Sequence, residues 1–109
     1  MLQQRRLRIF LQMIISQPRV ALPEAIEPHT ENLRLYSGNP KKDSNAIAYM
    51  LQAVSFEELQ RARKDKSKRD RPQCYAITND GIKSVLHLWP TPDKTYHATL
   101  RYCPAMKEI

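Results

Sequence analysis

The side chains able to do chemistry are few. Three histidines (His29, His87, His97), two cysteines (Cys74, Cys103) and one adjacent carboxylate pair (Glu57, Glu58) make up the candidates for catalysis or metal binding. His87 and His97 would stand opposite each other if their two strands formed a hairpin. That pair would bind a metal only if Cys103 or a carboxylate joined it, and no Cys/His spacing here matches a structural or catalytic zinc pattern. A pair of surface histidines is the ordinary reading, so no metal site is assigned. Cys74 has no base beside it in sequence and reads as a small buried hydrophobe. Glu58 is used by a helix cap, which leaves Glu57 without a catalytic partner. There is no G-x-S-x-G, glycine-rich phosphate loop or H-E-x-x-H. These residues call for no catalytic centre and no cofactor, and the chain reads as a non-enzyme.

Two other groups of residues could make contacts. The stretch Arg61 to Arg71 (RARKDKSKRDR) holds seven cations, Arg61, Arg63, Lys64, Lys66, Lys68, Arg69 and Arg71, against two acids. It reads as a loop facing nucleic acid or an acidic neighbour, or as a solvated loop. It contains no aromatic residue to stack on bases. Trp89, Pro90, Pro92 and Asp93 form the second group. Trp89 beside a proline-rich turn suits an interface anchor, unless a segment from the first half of the chain covers it.

The elements that must carry these groups are mostly strands. Tyr96, Ala98, Leu100 and Tyr102 are apolar at every second position, with His97, Thr99 and Arg101 between them, the period of a half-buried strand. Gly81 to Trp89 reads as a strand, and Trp89-Pro90-Thr91-Pro92-Asp93 as the turn to the next, Lys94 to Tyr102. Pairing them as a hairpin sets Leu88 against Tyr96, Leu86 against Ala98 and Ser84 against Leu100. A slip by one residue would turn the apolar set outward. The Leu/Tyr face is then the core, and the His/Trp face is solvated or covered by another segment.

Earlier in the chain, residues 7–15 alternate as a strand, although Leu7, Phe10, Leu11 and Ile14 also fit a helical stripe. The absence of a cap and the frequency of Ile and Phe favour the strand. Arg5, Arg6 and Arg8 read as a solvated strand end or as a basic arm on phosphate, and residues 1–18 as a possible extended arm. Pro18, Pro23 and Pro28 leave room for a short strand at Arg19 to Leu22. Asn32 to Tyr36 is a further short strand. Beyond the turn-rich Ser37 to Asn45, Ala46 to Val54 is an apolar run that reads as a strand buried on both faces, paired with Asn32 to Tyr36. Ser55 and Glu58 have the S-x-x-E spacing of a capping box, with Val54 and Leu59 at the staple positions. A helix is predicted from there to about residue 64.

The chain has 109 residues, a formal net charge of +7, two glycines and eight prolines. That length suits one β-rich domain, a sandwich or partly open barrel of antiparallel hairpins with one short capped helix, and can bury a modest core. The charge points to an acidic partner or to nucleic acid. The apolar run from Ile9 to Ile15 is too short to span a bilayer and lacks a cleavage site, so no membrane role is read. Two cysteines make no disulfide framework, and free thiols in a reducing compartment are expected.

The order of motifs resembles a known family. Ala21-Leu22-Pro23 precedes a hairpin, then V-S-F-E-E-L (Val54 to Leu59). A basic loop ends in Arg71-Pro72 and is followed by Tyr75-Ala76-Ile77. Next come Leu88-Trp89-Pro90-Thr91-Pro92-Asp93, then Tyr96 and Leu100-Arg101-Tyr102. Over residues 20 to 105 this is similar to the β-rich domain of tailed-bacteriophage head-to-tail adaptor, or tail accessory, proteins. The resemblance implies a virion structural protein at the head-to-tail junction, made in the host cytoplasm. It would form a ring of identical copies that bridges portal and tail proteins and helps retain packaged DNA. The chain departs from the family pattern in having Cys103 at the second position of the final Y-Y, and it reads as lacking the helices that flank this domain in longer relatives and dock on the portal. The alternative function is a small basic β-domain that binds nucleic acid through Arg61 to Arg71.

Overall fold

Strict alternation makes most of the strands, and in the computed structural model, which describes residues 8–27, 30–63, 68–79 and 82–105, it decides which side chains enter the core. The elements in order are β1 (Ile9–Ile15), β2 (Arg19–Ala21), β3 (Asn32–Tyr36), β4 (Ala48–Met50), β5 (Gln52–Ala53), α1 (Phe56–Ala62), β6 (Arg69–Asp70), β7 (Cys74–Asn79), β8 (Ser84–Trp89), β9 (Thr91–Pro92) and β10 (Tyr96–Tyr102). They form one four-stranded sheet in the order β1-β10-β3-β4 and a second in the order β2-β8-β7-β5. A two-stranded parallel pair joins β6 to β9. The protein is mainly β, with antiparallel pairing dominant; among the described residues there is one short helix and no closed barrel.

The core lies between the two sheets. Ile15 from β1, Leu33 and Leu35 from β3, and Tyr96, Ala98, Leu100 and Tyr102 from β10 come from the first sheet; Tyr75, Leu86 and Leu88 come from the second. Leu22, Ile26 and Leu51 fill the margins where the chain passes between sheets. Each fully buried leucine contributes roughly 1.5–3 kcal/mol through area removed from water. The tyrosines need partners for their hydroxyls: Tyr102 donates to Glu24 Oε1 at 2.9 Å and Tyr75 to the Glu31 carbonyl at 3.2 Å.

One sequence expectation is overturned. The segments 81–89 and 94–102 do not pair as a hairpin, and Leu88 does not sit beside Tyr96. β8 pairs with β7 and β2, whereas β10 pairs with β1 over seven residues and with β3 over five. The turn between them is a crossover from one sheet to the other, with a cis Trp89–Pro90 bond and Pro90 fully buried. The apolar residues of both segments do share a core, but they meet across it rather than along one face. Alternation shows that a strand has an inner side; it does not select the neighbour.

The run Ala46 to Val54 is likewise not one strand buried on both faces. Ile47 is 57% and Met50 60% exposed. The chain turns inward at Leu51, whose amide bonds to the Leu33 carbonyl, and its two halves join different sheets as β4 and β5. The expected pairing of β3 with this segment holds for β4, with Arg34 opposite Met50. The helix begins as its cap requires: the Glu58 amide donates to Ser55 Oγ at 3.1 Å. α1 lies on the outer side of β7 and β8 and buries Leu59 completely.

Candidate functional surfaces

The structure brings the two groups of candidate contact residues together. β6, at the end of the basic stretch, pairs with β9 in the turn, so Arg69 lies opposite Thr91 and Asp70 opposite Pro92. Pro90 and Pro92 are buried and cannot serve as contact surface. Trp89 is half-buried in register with Cys74, and its carbonyl accepts from the Gln73 amide at 2.8 Å. Asp93 is exposed and accepts a hydrogen bond from the Tyr96 hydroxyl. The proline-rich turn is therefore built chiefly into the fold.

The basic residues divide in the same way. Arg63 extends from the end of α1 and donates from Nη2 to the carbonyls of Pro18 and Leu88, each at 3.2 Å. This ties the helix to the β1–β2 connection and to β8, and burial together with nearby Arg19 lowers the guanidinium pKa. The Arg71 guanidinium lies 3.9 Å from the centroid of the Tyr49 ring, a cation–π contact. Arg61, Lys68 and Arg69 are exposed, while Lys64 and Lys66 lie outside the described residues. Of the five described cations of the stretch, Arg63 and Arg71 thus serve the protein's own packing.

His87 and His97 do not form a pair, because their strands belong to different sheets. His87 sits under α1, 6% exposed, with the Phe56 ring 4.7 Å away and Nε2 2.9 Å from Thr78 Oγ1. Burial, then the cations of Arg63 and Arg19, lower its pKa. Of the face expected to be solvated or covered, the part around His87 is thus covered by the helix. His97 lies on the outer side of the first sheet, and His29 is outside the described residues. No group of three potential metal ligands occurs among the described residues. Cys74 and Cys103 are free thiols, and burial raises the pKa of Cys74.

Sequence reasoning missed a surface that the ladder makes plain. The outward residues of the first sheet fall into three rows. Phe10, Arg101 and Asn32 form one row, Gln12, Thr99, Arg34 and Met50 the next, and Ile14, His97, Tyr36 and Ala48 the third. These are the positions between the core residues, so the alternation contained the signal, but only the strand order reveals which of them are neighbours. Phe10 is 63% and Ile14 64% exposed. The Arg101 guanidinium lies 5.9 Å from the Phe10 ring centroid, and Arg34 Nε lies 3.4 Å from Met50 Sδ. A shallow depression of about 160 Å³ lies among Phe10, Asn32, Arg34, Tyr36, Thr99 and Arg101. A larger groove of about 590 Å³ runs beside the start of α1, where Glu31 and Glu58 flank Ile26, Val54, Phe56 and Ile77.

The margin of this same sheet is unusual. β1 (IFLQMII) is an edge strand of seven residues with no charge, proline or glycine, and its one-to-one register with β10 contains no bulge. Among the described residues, no strand pairs with its other side. Charge, proline and a bulge, which commonly blunt a sheet edge, are missing from it. No protein-family model matches the chain, and neither a curated protein nor a solved structure matches it.

Proposed function

We propose that this chain is a non-enzymatic structural protein of the tailed-phage head-to-tail connector. It works by protein–protein contact, with copies of itself in a ring and with the portal and tail proteins on either side. The observation that carries this reading is the β1 edge, long, uncharged and unpaired on one side among the described residues. An edge of that kind is a template for pairing with another chain. The motif order that resembles the adaptor family supports it as well. V-S-F-E-E-L starts α1, Tyr75-Ala76-Ile77 lies in β7, Trp89 to Asp93 carries the chain between sheets, and Leu100-Arg101-Tyr102 ends β10.

Mass spectrometry of purified particles tests the role. A copy number in fixed ratio to the portal protein is expected, and absence from particles would overturn it. Light scattering of the purified chain tests the edge. Ile14→Lys, a charge placed on β1 where the side chain points outward, is expected to shift an oligomer toward monomer.

A further inference from the structure

We propose that the outer face of the β1-β10-β3-β4 sheet binds single-stranded nucleic acid. This rests on the side chains of the face, not on the β1 edge or the connector reading. The three rows contain two arginines, a histidine, two aromatic rings and no carboxylate. Arg34 and Arg101 supply guanidinium forks that match phosphate geometry. Asn32, Gln12 and Thr99 supply donors and acceptors at the level of base edges. Phe10 and Tyr36 supply flat apolar surfaces, and the depression that separates them is lined by both arginines and Asn32.

Spacing favours a strand of nucleic acid over a single nucleotide. Phe10 and Tyr36 are two strands and two rows apart, which places their backbones roughly 16 Å from each other. One base cannot stack on both, whereas successive bases of an extended strand can. Charge with interleaved aromatics on a sheet is the arrangement that stacks splayed bases and tracks their phosphates. The stretch Arg61 to Arg71 lacks those rings, and one of its cations, Arg63, is held by two backbone carbonyls. The excess of positive charge on the whole chain, +7, draws any polyanion toward the molecule. The outer face then selects an unpaired strand.

Fluorescence anisotropy with labelled thymidine and uridine oligonucleotides of about 12 nucleotides tests this on the full chain. Two double variants that remove the same charge are compared, Arg34→Gln with Arg101→Gln, and Arg61→Gln with Arg69→Gln. The first is expected to weaken binding about tenfold or more and to flatten the salt dependence by about 1.4 in log–log slope, about 0.7 for each lost phosphate contact. The second should change binding by less than about twofold. Phe10→Ala should weaken binding about fivefold or more, and Phe10→Tyr, which keeps the ring, should retain it. Circular dichroism checks that the variants fold; Phe10, Arg34, Arg61 and Arg69 are exposed and Arg101 is half-buried. Preference for uridine or for thymidine supports the proposal and identifies the strand as RNA or DNA. Equal losses in the two double variants would overturn it, as would duplex binding as tight as single-stranded binding. Displacement of the oligonucleotide by polyglutamate at equal charge would overturn it in favour of an acidic polypeptide.

Discussion

The two sheets share one core but differ in what lies on their outer faces. The β2-β8-β7-β5 sheet is backed by α1: Leu59 is sealed against it, Phe56 lies on His87, and Arg63 reaches past the helix end to two backbone carbonyls. On the β1-β10-β3-β4 sheet no described helix lies over the outward residues; the loop at residues 39–41 borders Gln12, Tyr36, His97 and Thr99, and Phe10, Ile14 and Met50 stay exposed. A sheet covered on both sides spends its side chains on folding. A sheet covered on one side keeps a row of them for something else, and that asymmetry is the reason to look for partners on the first sheet rather than at the turn or the basic stretch.

The comparison sharpens if the covered face proves necessary for folding. Leu59→Ala should cost about 2–5 kcal/mol, the range for removing a sealed leucine and leaving a cavity. Denaturant unfolding monitored at Trp89 measures it, and a loss below about 1 kcal/mol would show that the helix is not an integral layer. Arg63→Ala comes next. Its two carbonyl contacts are hydrogen bonds from a charged donor, and their loss should cost about 1–3 kcal/mol. The equivalent Arg61→Ala, two residues earlier and exposed, should change stability by less than about 0.5 kcal/mol. Equal effects of the two would remove the distinction between built-in and free cations.

Much of this architecture is legible in the residues, and most of the parts that are not share a cause. The strand at Asn32–Tyr36, the alternation in β1 and β10, and the cap at Ser55 follow from local patterns that hold within a few residues. The pairing of β8 with β7 and β2, and of β10 with β1 and β3, depends on residues far apart in sequence. Proline and aspartate at Trp89–Asp93 mark a turn, but a hairpin and a crossover between sheets use the same turn chemistry. The same limit hid the outer face. Phe10, Arg34 and Arg101 are spread across three strands, and only the order β1-β10-β3 makes them neighbours. The exposed run at Ile47 to Met50 misled for a different reason. An unbroken apolar stretch gives no period, so neither its faces nor its bend at Leu51 can be read from it.

A smaller effect separates the two sheets by pH. His87 is buried beneath the helix, and Arg63 and Arg19 add to the penalty for charging it, so its folded pKa lies below the ordinary 6.5. Below that value the unfolded chain takes up a proton that the folded chain resists. Stability from this site is therefore complete above about pH 6.5 and declines as pH falls below it. Denaturant midpoints at about pH 7.5 and about pH 5.5 should show a larger drop for the native protein than for His87→Gln. An identical drop would mean that the helix does not seal this histidine.

The smallest expected effect is the most decisive for the comparison. Ile14→Thr exchanges one β-branched side chain for another on an outward position of β1, opposite His97. Strand propensity is preserved, and a side chain that is 64% exposed has little apolar surface to lose. Unfolding free energy of the monomer should change by less than about 0.5 kcal/mol. A loss several times larger, at a protein concentration where light scattering finds only monomer, would mean that some part of the chain already lies over this face. The first sheet would then be covered like the second, and neither the edge of β1 nor the arginine and phenylalanine beside it would be open to a partner. A small change with intact folding leaves that surface available, and what occupies it becomes a question of binding rather than of stability.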